Sequence, residues 1–530
     1  MVSAQDLSTE VVVDRNIIPE ERAAARPSWL APEILLPPTQ TVELQPITYT
    51  GVAALDRQYT QLPAADGAYA AEKTPYRGYV AGGYFPTLDF GISAGYRLID
   101  KKTMSLGARL QLDSERYRPS KDVDAPNYFF TTTIGVDYRW QPTSKSTLAA
   151  FAEYAYLRDR TYFFEPQSTN SGAVGASWRQ EVGRVNIHAS LRGDFEHLGK
   201  VREILAGNTP WVDPLSQQRV RFAAGMVLPL ADSRIGIDVD GDYLRTAAET
   251  ASTKGFVALT PHYTYASRRF VAKIGVKLDI ADKFNVMPDV RVQWNAADAF
   301  SIWANVTGGS HVNSFASLRQ VSVYQIFRNQ FELSRVPLAL DGGLNFGPYK
   351  GFYVGVFGGY AIANKWMMLA GGNSLYGGYS AFAPVNIKGW HAGAKIGGEW
   401  RFIKAEALAE FAPSDYDKAW YFNRDRAKVV VGAHLSLTPI KPLTVTVGYE
   451  FRGGRKAYYS MTEASGTKSD KPQPASLGCV SDLSVGAEYR INTSLAVFAR
   501  VENILGRRFE VIDAVVSRRQ SGLVGVSYKF

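Results

Sequence analysis

The sequence predicts an all-β fold: a transmembrane antiparallel up-and-down β-barrel of about 22 strands (20–22), behind a short Pro-rich N-terminal periplasmic segment. Three observations predict it. From residue 77 to 530 the chain repeats runs of about ten residues in which apolar and polar side chains alternate. Short and long connections separate these runs by turns. The last run ends on an aromatic residue, Phe530, at the end of an apolar stripe.

Composition admits this fold and excludes others. Hydrophobic residues make up 46% of the 530, yet no stretch reaches the roughly 18–20 consecutive apolar residues of a membrane helix. There are 29 Tyr, 27 Phe and 10 Trp, and Tyr and Trp suit a membrane–water boundary because each has an apolar body and a polar tip. Cys479 is the sole cysteine, which excludes an intramolecular disulfide and a multi-Cys metal cluster. The net charge of +9 is spread as single Lys and Arg without a basic run, so nucleic acid is not an expected partner.

Residues 1–76 contain eight Pro and no strand-like run. Val2 and Ala4 before Gln5 fit a signal-peptidase site, so an export signal is expected ahead of that point. Residues 17–25 suit one or two helical turns, and residues 27–38 suit extended polyproline-type chain. This segment is expected in the periplasm or the barrel lumen.

Residues 77–530 form the barrel unit. Strands are expected near 77–85, 88–99, 103–114, 128–140, 145–156, 171–180, 184–196, 218–229, 233–245, 256–265 and 269–280. The rest are expected near 284–294, 298–307, 338–347, 350–361, 387–400, 402–411, 428–438, 441–452, 481–491, 494–504 and 520–530. Runs of this length exceed the five or six residues usual in soluble strands and match the roughly 9–11 that cross a bilayer at a tilt. Their polar faces carry charges deep within the strand, including Arg109, Asp137, Arg192, Asp240, Lys277 and Arg291, which suits a wet lumen. The segments 197–217, 308–337, 362–386 and 453–480 read as long loops; 308–337, rich in Ser, Asn, Gln, Arg and aromatics, suits either filling of the lumen or binding of an external partner, and 373–379 reads as an exposed tip among glycines.

No catalytic, cofactor or metal site is expected. Asp238, Asp240 and Asp242, with Glu249, echo a calcium loop, but the position that needs Gly holds Tyr243 and the run alternates as a strand. A lumen-facing acidic ladder is the expectation. Glu406 and Glu410 lie about 13 Å apart along a strand, too far for a glycosidase pair. The six His (188, 197, 262, 311, 391, 434) show no metal-ligand spacing.

The C-terminal segments Asp482–Arg490, Val501–Phe509 (with Asn503-Ile504-Leu505-Gly506-Arg507-Arg508-Phe509) and Gly525–Phe530 resemble the end of TonB-dependent outer-membrane receptor barrels. The style of the barrel is Bacteroidota-like. In that family a C-terminal aromatic strand is the assembly signal, which the resemblance places on Tyr528 and Phe530. Thr9-Glu10-Val11-Val12-Val13 resembles a TonB box, an extended segment that pairs with a strand edge of the energy-coupling protein TonB. The departure is at the front, where about 76 Pro-rich residues stand in place of the family's globular plug. The resemblance therefore implies a plugless receptor-like barrel in the outer membrane of a Gram-negative bacterium, in contact with outer-membrane lipid. Its expected role is that of a scaffold or accessory subunit with protein partners in the outer membrane or periplasm. The alternative is a pore or transporter, passive or closed by a partner.

Overall fold

Alternation with a period of two gives every strand one apolar and one polar face, and neighbours of the same pattern must pair with their apolar faces on one side. A computed structural model of the protein describes residues 76–530 except 87–88, 118–126, 162–163, 203–212, 248–250, 268, 298, 322–330, 371–380, 417–426, 460–472, 513–514 and 518. The segment 1–75, with the TonB-box-like residues Thr9 to Val13, lies outside the described residues, as do Glu249 and the tip at 373–379.

Twenty-two strands form one closed wall. The first eleven are β1 Gly78–Phe85, β2 Asp89–Lys101, β3 Met104–Tyr117, β4 Asn127–Thr143, β5 Ser146–Thr161, β6 Phe164–Val182, β7 Val185–Leu198, β8 Leu215–Pro229, β9 Ser233–Ala247, β10 Ser252–Ala266 and β11 Phe270–Ile280. The others are β12 Phe284–Ala297, β13 Phe300–Val312, β14 Leu333–Tyr349, β15 Phe352–Ala370, β16 Ala381–Trp400, β17 Ile403–Phe411, β18 Val429–Ile440, β19 Leu443–Gly453, β20 Val480–Arg490, β21 Leu495–Glu502 and β22 Ser521–Lys529. Each pairs antiparallel with the next, and β22 pairs with β1 through Tyr79↔Lys529 to Tyr84↔Val524, so the sheet has no free edge. Every expected strand is present.

The outward face is apolar. Val174, Ile274, Ile280, Val286, Val356 and Val524 are all exposed side chains on it, and no soluble protein leaves such a belt bare. Trp140, Trp178, Trp294 and Trp400 gather near the short-turn end of their strands, with Tyr528 and Phe530 at the same end. Rings at one rim form the aromatic girdle of a membrane barrel. Two turns at that end depend on glycine: Gly183 (φ +61°) between β6 and β7, and Gly351 (φ +89°) between β14 and β15.

The strands outrun their sequence-expected ends at the long-loop side. β5 and β6 continue to Thr161 and from Phe164, and β15 and β16 extend to Ala370 and from Ala381, across a bulge between Ala363 and Trp366. Above the lipid both faces of a strand meet water, so the alternation that betrays a strand disappears while backbone pairing continues. Within 453–480 a small hairpin pairs Lys456–Tyr459 with Gln473–Ser476.

Candidate functional site: the lumen and its inward strap

The inward face is a lattice of paired charges. Arg109 on β3 bonds Glu153 on β5, across β4, and Arg219 on β8 bonds Asp242 on the neighbouring β9. Asp194 takes Arg192 Nε at 2.8 Å and Arg221 Nη2 at 3.0 Å. The acidic ladder on β9 faces the lumen as expected: Asp240 meets Lys277 Nζ at 3.4 Å, and Asp238 lies between His188 (3.6 Å) and His262 (3.4 Å). Further round the wall His391 on β16 sits between Asp341 (2.8 Å) and Glu410 (3.2 Å). Glu406 is engaged separately, by Tyr353 Oη at 2.5 Å and Lys395 Nζ at 3.1 Å. The two glutamates thus serve different neighbours and do not form a pair. Among the described residues no group of three or more His, Cys, Asp or Glu is placed to hold a metal ion.

Between β13 and β14 the chain turns inward. We call residues 313–321 together with 331–332 the strap; 322–330 lie outside the described residues. It opens with a seven-residue helix, α1 Phe315–Val321. Ser314 caps it: the Ser317 backbone N–H donates to Ser314 Oγ (3.3 Å), and the Ser314 N–H donates to Ser317 Oγ (2.8 Å). A serine cap contributes about 1 kcal/mol. The helix lies against the lumen face of β5–β8, far away in sequence. The N–H of Phe315 donates to Gln217 Oε1 (2.8 Å), and that of Ala316 donates to Glu196 Oε2 (3.1 Å). Arg319 donates to Thr169 Oγ1 (2.7 Å) and to Asp159 Oδ1 (3.1 Å). Arg319 and Asp159 are nearly enclosed, so loss of either would strand the other's charge.

The strap is cemented to itself and to its own base. Phe315 and Phe331 meet edge to face with centroids 5.0 Å apart. Asn313 Nδ2 donates to the Glu332 carbonyl (2.6 Å) and to Ser334 Oγ (2.8 Å). Beneath lies a small apolar core of Leu244, Phe256, Ala258, Val312 and Leu333. Glu332 bonds Lys365 Nζ (3.1 Å) and Lys254 Nζ (3.5 Å). Burial pushes the Glu332 carboxyl up, but the Lys365 hydrogen bond and the Lys254 and Lys365 charges outweigh it and hold the group below its ordinary range.

Sequence reasoning placed the lumen charges and read 308–337 as a long loop suited either to filling the lumen or to binding an external partner; the helix within it and its contacts with β5–β8 were not foreseen. One signal was present. On β9 the lumen-facing series Asp238, Asp240, Asp242 passes to Leu244, and on β10 Phe256 and Ala258 stand on the same side as His262. Apolar residues on a wet face imply a cover. At the C-terminus Tyr528 and Phe530 stack at 6.0 Å, and Tyr96 stacks on Phe530 at 6.1 Å, all on the outward face. Asn503, in the receptor-like motif, has φ +47° and donates from Nδ2 to the carbonyls of Arg507 and Arg519, which closes the loop above β21 and β22.

No family model matches the sequence, and no curated protein does. Solved structures do match. A variant of the ferric enterobactin receptor PfeA of Pseudomonas aeruginosa superposes with a TM-score of 0.64 at 10% identity, over 86% of this chain and 80% of that one. The siderophore receptor PirA of Acinetobacter baumannii gives 0.66 at 9%, over 86% and 80%. FpvA of P. aeruginosa, bound to a heterologous pyoverdine, gives 0.65 at 10%, over 86% and 72%. Identity this low speaks to architecture alone, and at that level this chain has the 22-strand barrel fold of siderophore receptors.

Proposed function

We propose that this chain is a non-catalytic outer-membrane barrel through which polar solutes pass, narrowed at its long-loop end by the strap. The observation that carries the reading is a charged, water-suited lumen with one side of its mouth covered by a folded segment of the same chain. A barrel of 22 strands is too wide for wall side chains to fill, so inward-folded chain sets its bore. The apolar belt and the aromatic rim support placement in the outer membrane of a Gram-negative bacterium. The receptor fold of the structural neighbours supports transport over catalysis.

The test is solute flux into proteoliposomes containing the full chain, with neutral sugars of graded size. The reading expects flux that falls steeply with solute size. Vesicles as tight as protein-free controls to every sugar would count against it. The accessory-subunit role expected from the sequence is the competing reading, and a stoichiometric partner recovered from native membranes in mild detergent would favour it.

A further inference from the structure

We propose that the short-turn rim between β14 and β19 binds an anionic phospholipid, with its phosphate among Lys350, Arg401 and Lys441 and its acyl chains on the rings beside them. This rests on the membrane placement read above and is independent of whether solutes pass through the barrel. Three consecutive short turns, β14–β15, β16–β17 and β18–β19, each expose one of these cations. Backbone bonds fix the turns in a row: the Glu399 N–H donates to the Gly351 carbonyl (3.0 Å), and the Thr438 N–H donates to the Phe402 carbonyl (2.8 Å). Strands lie about 4.8 Å apart, so the backbones of neighbouring turns stand roughly 10 Å apart. Two long cationic side chains can converge on one phosphate between them.

The outward face below the row is apolar. Tyr349, Phe352, Trp400 and Ile440 each leave more than half of their surface bare. The Trp400 and Phe402 rings lie 6.3 Å apart, and the Phe352 ring covers Gly398, where a Cβ would meet it at 2.8 Å. Two of the cations stand over these rings: Lys350 Nζ is 5.5 Å from the Tyr349 centroid, and the Arg401 guanidinium is 5.8 Å from that of Trp400. Each charge therefore sits at the boundary between ring and water, at headgroup depth. Among the described residues no carboxylate pairs with Lys350, Arg401 or Lys441. Glu399, close to Arg401 in sequence, alternates to the lumen side opposite Lys404. Elsewhere at this end cations are neutralised, Arg97 by Asp100 at 3.7 Å and Lys145 by Glu181 at 3.8 Å. An uncompensated row of cations beside bare rings complements an anionic headgroup, whereas a zwitterionic one would bring its own cation into the row.

Native mass spectrometry of the full chain tests this, by titration in mild detergent with phosphatidylglycerol and, separately, with phosphatidylcholine. The proposal expects the first phosphatidylglycerol to bind about tenfold more tightly, or better, than the first phosphatidylcholine. Lys350→Asn, Arg401→Asn and Lys441→Gln together should abolish that preference, because each cation near a membrane surface adds roughly fivefold to anionic-lipid attraction. Asn suits the first two positions since it tolerates the φ of 49° and 50° found there, and heat-modifiable mobility equal to the parent's would verify folding. Lys101→Gln, Lys145→Gln and Arg184→Gln, made together at other short turns, should leave the preference in place. A parent that binds both lipids equally would overturn the proposal. So would a folded rim variant that keeps its preference, or a control variant that loses as much of it as the rim variant does. None of these readouts uses solute flux, so the passage reading stands or falls separately.

Discussion

The tall wall of β5–β10 and the low seam where β20–β22 meet β1 are made from the same alternating strands, yet they are held together differently. The wall strands run 14–19 residues, while β1, β21 and β22 have only 8, 8 and 9. On the tall wall large charged side chains bridge strand to strand, as Arg219 does to Asp242 and Arg221 to Asp194. At the seam Gly83 faces Gly525, and backbones approach where side chains would otherwise stand. The difference teaches that one alternating pattern supports two modes of cohesion. Long strands leave room for side-chain bridges and for a covering segment, whereas short strands depend on close backbone fit.

The comparison can be broken most severely at the seam. A Cβ on Gly525 would lie 2.2 Å from the Gly82 carbonyl and 2.5 Å from the Phe498 ring, so Gly525→Val should destabilise barrel closure by about 3 kcal/mol. Loss of heat-modifiable mobility at a lower temperature than the parent would register it. Gly82→Ala, at the residue whose carbonyl makes that contact but whose own Cβ would face open space, should leave mobility unchanged.

On the tall wall the expected effect is smaller and has a different signature. Arg219→Met strands the buried Asp242 carboxylate and should cost about 2 kcal/mol in urea unfolding. Adding Asp242→Leu should restore most of that loss, because two apolar partners leave no charge behind. A double variant no better than the single one would show that the bridge does more than satisfy its own charges.

The strap offers two finer tests. Ser314→Ala should cost about 1 kcal/mol of local stability, read as faster hydrogen exchange at Leu318, whose N–H bonds the Ser314 carbonyl. Unchanged exchange would remove the cap from the account. The smallest effect concerns acid. Glu332 is held below its ordinary range, so its contribution is complete above the unfolded value and is lost as pH falls through the lower folded value. Acidification below the ordinary carboxylate range should therefore loosen the strap base, and Glu332→Gln should flatten that part of the pH dependence of exchange. Equal pH profiles for the two proteins would contradict the assignment.

How much of this was legible in the sequence follows from what each region must satisfy. Lipid on one side and water on the other force alternation, so strands such as 284–294 and 218–229 could be placed from residues alone. The charges Arg109, Asp240 and Lys277 could be assigned to the lumen for the same reason. Strand ends above the lipid escaped, since nothing there distinguishes the faces. Of the strap, the loop 308–337 and its suitability for filling the lumen could be read, but neither its helix nor its partners. Its seven-residue helix is too short for a periodic signal, and its partners Asp159 and Thr169 lie 160 and 150 positions away from Arg319. The apolar intruders Leu244 and Phe256 on a polar face also hint at a cover.

The most direct test of the central claim is to excise the strap, joining Asn313 to Glu332 through a short Gly-Ser turn, and to compare channel conductance with that of the intact chain. The account predicts a folded barrel, still heat-modifiable, whose conductance rises several-fold because the covered side of the mouth is opened. A folded, strapless barrel with the conductance of the parent would contradict the claim that this segment sets the bore.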